Sequence, residues 1–317
     1  MNKIWIIVAI AMIAVGALVF CGVMTSIKWD FRQLSTTEFS TTSYRIDQSF
    51  SNISLDVGET SVVLRPATDG KTSVVVFENK NALHTVAVEG DTLVITQDKK
   101  NTWHNVIGIS FQSPEITLTL PPSEYRALTA KLSTGHMEIL ADFRFESIDI
   151  AASTGDVVCR ASASEDIHIK LSTGDILLEN VSAGSLALSA TTGKINASGL
   201  TCDGELSIDV STGKTYLADV TCGTLSSTGN TGDLSLQNVI ATEKFLIERT
   251  TGNVTFDRCD AAEIVIATDT GYVTGTLLSD KIFSTQTSTG KISVPKSASG
   301  GACDITTSTG NIQISIS

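Results

Sequence analysis

DIHIKLSTGDILLENVSAG at residues 166–184 and ELSIDVSTGKTYLADVTCG at residues 205–223 carry one pattern. In each, apolar side chains fall on alternate positions up to a Thr-Gly pair and resume the alternation directly after it. Outward from these two copies, Thr-Gly recurs with Gly at 135, 155, 174, 193, 213, 232, 252, 271, 290 and 310, at intervals of 19 or 20 residues. Aligned on that Gly, the position seven residues earlier is apolar in every copy: Leu128, Ile148, Ile167, Leu186, Leu206, Leu225, Phe245, Ile264, Phe283 and Cys303. The position two residues later is apolar in all copies but one, Thr215. Alternation at period two is the mark of strands, not helices.

A repeat of this length is too short for a propeller blade and carries no helix of a leucine-rich repeat. The reading that remains is an all-β, parallel β-solenoid of about ten coils over residues 126–317. Stacked at ~4.7–4.9 Å per strand, ten coils give a rod roughly 45–50 Å long. Gly135, Gly155, Gly174, Gly193, Gly213, Gly232, Gly252, Gly271, Gly290 and Gly310 are then the structural turns. The Thr beside each is expected to stack into a hydroxyl ladder. Two further Thr-Gly pairs, at Gly229 and Gly275, fall out of phase.

The composition agrees. With 42% hydrophobic and 18% charged residues among 317, the chain is neither disordered, coiled coil nor collagen-like. A net charge of −12 argues against a nucleic-acid partner. Residues 4–27, IWIIVAIAMIAVGALVFCGVMTSI, hold no charge and are long enough to cross the ~30 Å hydrocarbon layer. Trp5 and Trp29 bracket the run as interfacial aromatics do. Residues 1–27 therefore read as a cytoplasmic tail and transmembrane signal anchor. Lys3 on one side and Lys28 and Arg32 on the other leave the charge count undecided. A short tail ahead of such an anchor ordinarily stays in the cytoplasm, so the expectation is a single-pass protein of the cytoplasmic membrane with its bulk outside.

Between anchor and rod, residues 28–45 (KWDFRQLSTTEFSTTSYR) read as a Ser/Thr-rich stalk, and residues 46–125 as an irregular β cap. In the cap, Glu89–Asp91 has the character of a hairpin turn.

Three features occur in order: the anchor, an irregular section ending in ITLTLPPSEYRAL (116–128), and repeated copies of LSTGDI. Together they resemble a bacterial family of β-strand-repeat proteins, catalogued as candidate adhesins of unknown function, to which envelope-stress proteins of the Lia type are related. Leu120-Pro-x-x-x-Tyr125 followed by Ser133-Thr134-Gly135 carries most of the likeness, which covers residues 46–317. The resemblance implies an envelope-associated role and brings no catalytic residue with it.

The nearest thing to a chemical site is the column just after the Gly: His136, Asp156, Asp175, Lys194, Lys214, Asp233, Asn253, Tyr272, Lys291 and Asn311. Asp156 and Asp175 lie on adjacent coils and are weak candidates for a shared calcium ion. Alternating signs at Asp175–Lys194 and Lys214–Asp233 favour a solvated charge ladder instead. The four His (His84, His104, His136, His168) are scattered, which argues against zinc. Cys202 and Cys222 occupy equivalent places on successive coils, where unbridged stacking is expected over a disulfide, and Cys159, Cys259 and Cys303 fill inward slots.

No catalytic or cofactor-binding residue and no cofactor is assigned. The function expected is non-catalytic: adhesion, envelope-stress signalling or scaffolding, toward a protein or a cell-wall glycan. The alternative is a β-helix enzyme or calcium-dependent binder of cell-wall or acidic polysaccharide. Because the chain ends at GNIQISIS with uncharged Gln313, Ser315 and Ser317, the C-terminal coil is expected to be an open edge suited to self-association.

Overall fold

The computed structural model describes residues 3–30, 38–98 and 112–317. Arg32 and His104 lie outside the described residues. The first element is helix α1 (Lys3–Ser26). Its apolar run, Trp5–Ser26, reaches a mean hydropathy of 2.9, and apart from Met24 its side chains are exposed. At ~1.5 Å per residue the helix is long enough to span a bilayer. Lys28 and Trp29 adopt left-handed φ values of 53° and 59°, which ends the helix. The Trp29 ring then folds back edge-on against Phe20 at 6.2 Å.

Nine strands follow in the N-terminal part: β1 (Phe39–Ile46), β2 (Asn52–Gly58), β3 (Ser61–Pro66), β4 (Thr72–Asn79), β5 (His84–Glu89), β6 (Thr92–Gln97), β7 (Glu115–Leu120), β8 (Glu124–Thr134) and β9 (Met137–Ile139). The segment expected as a stalk, residues 28–45, thus contributes a strand. Residues 39–46 form β1, antiparallel to β4, with the Phe39 and Phe77 rings stacked 5.0 Å apart. Ser and Thr hide the alternation in FSTTSYRI, but the backbone of β4 supplies its pairing.

The cap is also more regular than its sequence. β2 pairs in parallel with β8 (Ile53 opposite Leu128), and β3 with β9 (Val62 opposite Met137). Residues 52–66 are thus a full coil of the solenoid, without a Thr-Gly pair to announce it. Beneath it, β6 runs parallel to β2 and β7 parallel to β3. Among the described residues β1, β4 and β5 pair antiparallel throughout, β1 with β4, β4 with β7 and β5 with β6, and these close the base. The hairpin at Glu89–Asp91 is present: Glu89 faces Thr92 across the turn and Gly90 has φ 62°.

From β8 onward each coil stacks in parallel register on the last. Leu186, Leu206, Leu225, Phe245 and Ile264 follow one another directly across neighbouring strands. All five are at most 1% exposed, within one core that runs from Ile53 to Ile314. Each fully buried Leu or Ile contributes about 1.5–3 kcal/mol, and the stack makes those contributions continuous. At the Gly corner the bonds between coils are backbone ones, such as Gly155 N–H to the Thr173 carbonyl at 2.9 Å. A second corner stands six residues after the Gly. There Asn180, Gly199, Asp219, Asn238 and Arg258 take left-handed φ between 51° and 64°.

The C-terminal end departs most from expectation. The strand Gly301–Thr309 lies between Val254–Thr270 and Lys281–Thr289, pairing in parallel with both. Likewise Ile312–Ile316 lies between Val273–Leu277 and Ile292–Ser293. The backbone bonds agree: Gly271 N–H donates to Thr309 O and Gly310 N–H to Thr289 O, each at 2.9 Å. The last coil in sequence is therefore inserted between the two before it. Gln313, Ser315 and Ser317 do not form the open edge; residues 281–293 do. Position in sequence and position in the stack part here because seven residues, 294–300, let the chain step back one coil.

Candidate functional site

The column following the Gly corner is a hydrogen-bonded ladder. Asp156 Oδ1 accepts the Asp175 N–H at 2.8 Å, and Asp175 Oδ1 accepts the Lys194 N–H at 2.7 Å. Asp233 Oδ1 serves Asn253 N–H at 3.1 Å while its other oxygen lies 3.1 Å from Lys214 Nζ. The Asn253 N–H first, then the Lys214 ammonium, hold the Asp233 carboxyl below the usual range. Each carboxylate thus caps the backbone of its neighbouring coil. Asp156 and Asp175 are neighbours as expected, but each spends an oxygen on that bond, and no group of three metal-ligating side chains forms among the described residues. Cys202 and Cys222 are free thiols, as are the other four. Burial pushes Cys159 up to about 11, and Cys222 and Cys303 up to about 12, so these thiols stay protonated at neutral pH.

The candidate recognition site is a groove of about 390 Å³ that runs across the first coils. It arises where an inward column changes size. The Tyr125 and Phe145 rings pack at a tilt with centroids 5.8 Å apart, and the next coils place Ala163 and Ala183 in the same column. The aromatic pair ends and the small residues leave a trough. Phe50 extends the stack at 6.1 Å, and Tyr125 Oη donates to the Pro121 carbonyl at 3.0 Å. Ser162, Ser164, Ser182 and Thr201 line the trough, with Arg144, Glu124 and Asp203 around it. Arg126 Nε and Glu146 Oε2 meet 3.4 Å apart on its rim, both well exposed. Apolar floor, hydroxyl walls and charges of both signs suit binding of a polar ligand. The sequence carries the signal as a drop from aromatic to Ala. Alternating 19- and 20-residue spacings shift that column relative to the Gly and conceal it.

A second constellation escapes the sequence entirely. His84 Nδ1 lies 2.9 Å from Glu78 Oε2, which also accepts the His84 backbone N–H at 2.6 Å. His84 Nε2 lies 3.2 Å from Thr60 Oγ1 and 3.3 Å from the Val57 carbonyl. Hydroxyl, imidazole and carboxylate stand in line, yet Thr60, His84 and Glu78 are 0%, 4% and 2% exposed. Closed off from solvent, the trio works as a clasp fastening β5 and the β4–β5 turn to the first coil. His84→Leu should cost about 3 kcal/mol in urea unfolding, because it takes the imidazole from the buried Glu78 carboxylate and leaves it only the backbone N–H of residue 84. Adding Glu78→Leu should recover much of that loss.

Residues 50–214 and again 201–317 match the family described as Toastrack DUF4097. The chain belongs to this family. The Toastrack match begins at residue 50, just ahead of the coil at residues 52–66 that has no Thr-Gly pair. Among solved structures, a candidate adhesin from Parabacteroides merdae is 15% identical with a TM-score of 0.53, covering 75% of this chain and 96% of its own. A candidate adhesin from Bacteroides fragilis is 17% identical with a TM-score of 0.44, covering 88% and 97%. A candidate lipid-binding protein from Parabacteroides distasonis is 18% identical with a TM-score of 0.48, covering 76% and 98%. The Parabacteroides merdae likeness is one of fold. No curated protein matches the chain.

Proposed function

We propose that this Toastrack protein is a membrane-tethered recognition rod, held by residues 4–27 and projecting outside the cell, with a non-catalytic role in adhesion or envelope scaffolding. The observation that carries the reading is α1, whose apolar run is exposed except at Met24 and precedes the strands at the base of a solenoid. The fold's adhesin-named relative in Parabacteroides merdae supports it. The groove beside Tyr125 and Phe145 is the surface proposed to meet a protein or a cell-wall glycan. Envelope-stress signalling would use the same surface.

Protease treatment of intact cells tests the topology. The expected result is loss of residues 38–317 from an immunoblot while cytoplasmic markers survive. Full protection of that region overturns the outside placement. Turnover of a cell-wall glycan by the full chain, lost in Asp175→Ala, would instead establish the enzyme alternative.

A further inference from the structure

We propose that the free tip of the solenoid pairs with the tip of a second copy of this chain, strand Lys281–Thr289 adding antiparallel to itself. On one side this strand pairs with Gly301–Thr309; on the other no strand pairs with it among the described residues. Open edges are normally guarded by Lys, Pro or a bulge. Here residues 282–290 (IFSTQTSTG) contain no charge at all.

The one Lys at the start of this strand is withdrawn. Lys281 is 3% exposed, and its Nζ lies 2.6 Å from Asp260 Oδ1, 2.7 Å from the Ala261 carbonyl and 2.9 Å from Ser279 Oγ. All three of its donors are spent inside the protein. Meanwhile Ile282 is 51% and Ile292 44% exposed, and Phe283 and Val294 are only partly covered at the end of the core.

A second copy fits this edge for a reason of symmetry. Pairing about a two-fold axis at Thr285 keeps inward positions facing inward, sets Phe283 opposite Thr287 and Ile282 opposite Ser288, and confronts no like charges. Asp280 of one copy then lies one position from Lys291 of the other. Each chain carries a net −12, so an uncharged edge, with this opposite-sign contact made twice by the symmetry, lets two copies meet without setting like charges against each other. Because α1 enters at the base, tips that meet join two opposing membranes. That last step rests on the anchored reading above.

The test uses the full chain in phosphatidylcholine vesicles. Flotation comes first: a chain that fails to float with the vesicles overturns the anchored reading, not the pairing. Floating vesicles should cluster, with light scattering several-fold above empty vesicles and undiminished by salt. Ile282→Lys combined with Gln286→Lys should abolish clustering at unchanged melting temperature. In detergent, Thr285→Cys should oxidise to a cross-linked dimer, since residues opposed in an antiparallel pair lie within disulfide reach. Ser207→Cys, mid-rod, should not. Vesicles that float but stay dispersed, together with a Thr285→Cys chain that does not cross-link above Ser207→Cys, overturn the pairing.

Discussion

Leu206→Asp should unfold the middle of the rod, while its neighbour Ser207→Asp should leave stability within about 0.5 kcal/mol of wild type. Leu206 is 0% exposed and sits between Leu186 and Leu225 on the coils to either side. Truncating such a Leu to Ala alone costs about 2–5 kcal/mol. A carboxylate adds the penalty of a buried polar group with no partner, which brings the expected loss above about 5 kcal/mol. Ser207, half-buried, lies on the outward face of the same strand, so the two variants place the charge on opposite faces. Each coil touches only its neighbours, and a mid-rod defect removes two interfaces at once. Urea unfolding followed by circular dichroism distinguishes the variants. Equal midpoints for the pair would show the inward and outward sets to be misassigned.

Gly213→Val should be comparably severe, above about 5 kcal/mol, although it adds only apolar atoms. Gly213 has φ 152°, a conformation L side chains rarely adopt, at a strain of about 1–3 kcal/mol. Steric overlap costs more than the strain. A Cβ on Gly213 would strike the carbonyl oxygen of Gly193 on the preceding coil, far inside contact distance. That atom is backbone and locked by the strands around it, so the coils must separate. Gly90→Ala makes the control. Gly90 is left-handed at φ 62° but has open space around it, so only about 1–2 kcal/mol should be lost. Melting temperatures of the two variants check both numbers; a mild effect at Gly213 would mean that the coils can part at the corner without cost.

The solenoid, the ten corners, the inward slots and the apolar helix were all legible in the order of residues alone. These are local, repeated quantities. A Gly every 19 or 20 residues and alternation on both sides of it leave few other ways to bury Leu206 and its equivalents. What stayed hidden depends on contacts between distant segments. Residues 52–66 became a coil because β8 and β9 provide parallel edges for them, and Thr60 stands where the later coils have Gly. Gly229 and Gly275 looked out of phase until their neighbours were in place. A Cβ at Gly229 would collide with the Arg249 guanidinium, which is buried in the core and donates to Ser227 Oγ at 2.7 Å. A Cβ at Gly275 would collide with the Phe256 carbonyl.

The order of the last two coils was likewise beyond the reach of pattern. Both carry the same repeat, so the sequence permits either to stand at the tip. Contacts in the folded chain settle the choice. Lys281, on one of them, is held inside by Asp260, the Ala261 carbonyl and Ser279, and Gly301–Thr309 fills the slot between. Periodicity dictates which face of a strand is buried, because that is settled one residue at a time. Which strand lies beside which is settled by hydrogen bonds and ion pairs between residues far apart in the chain, and only the folded structure brings those together.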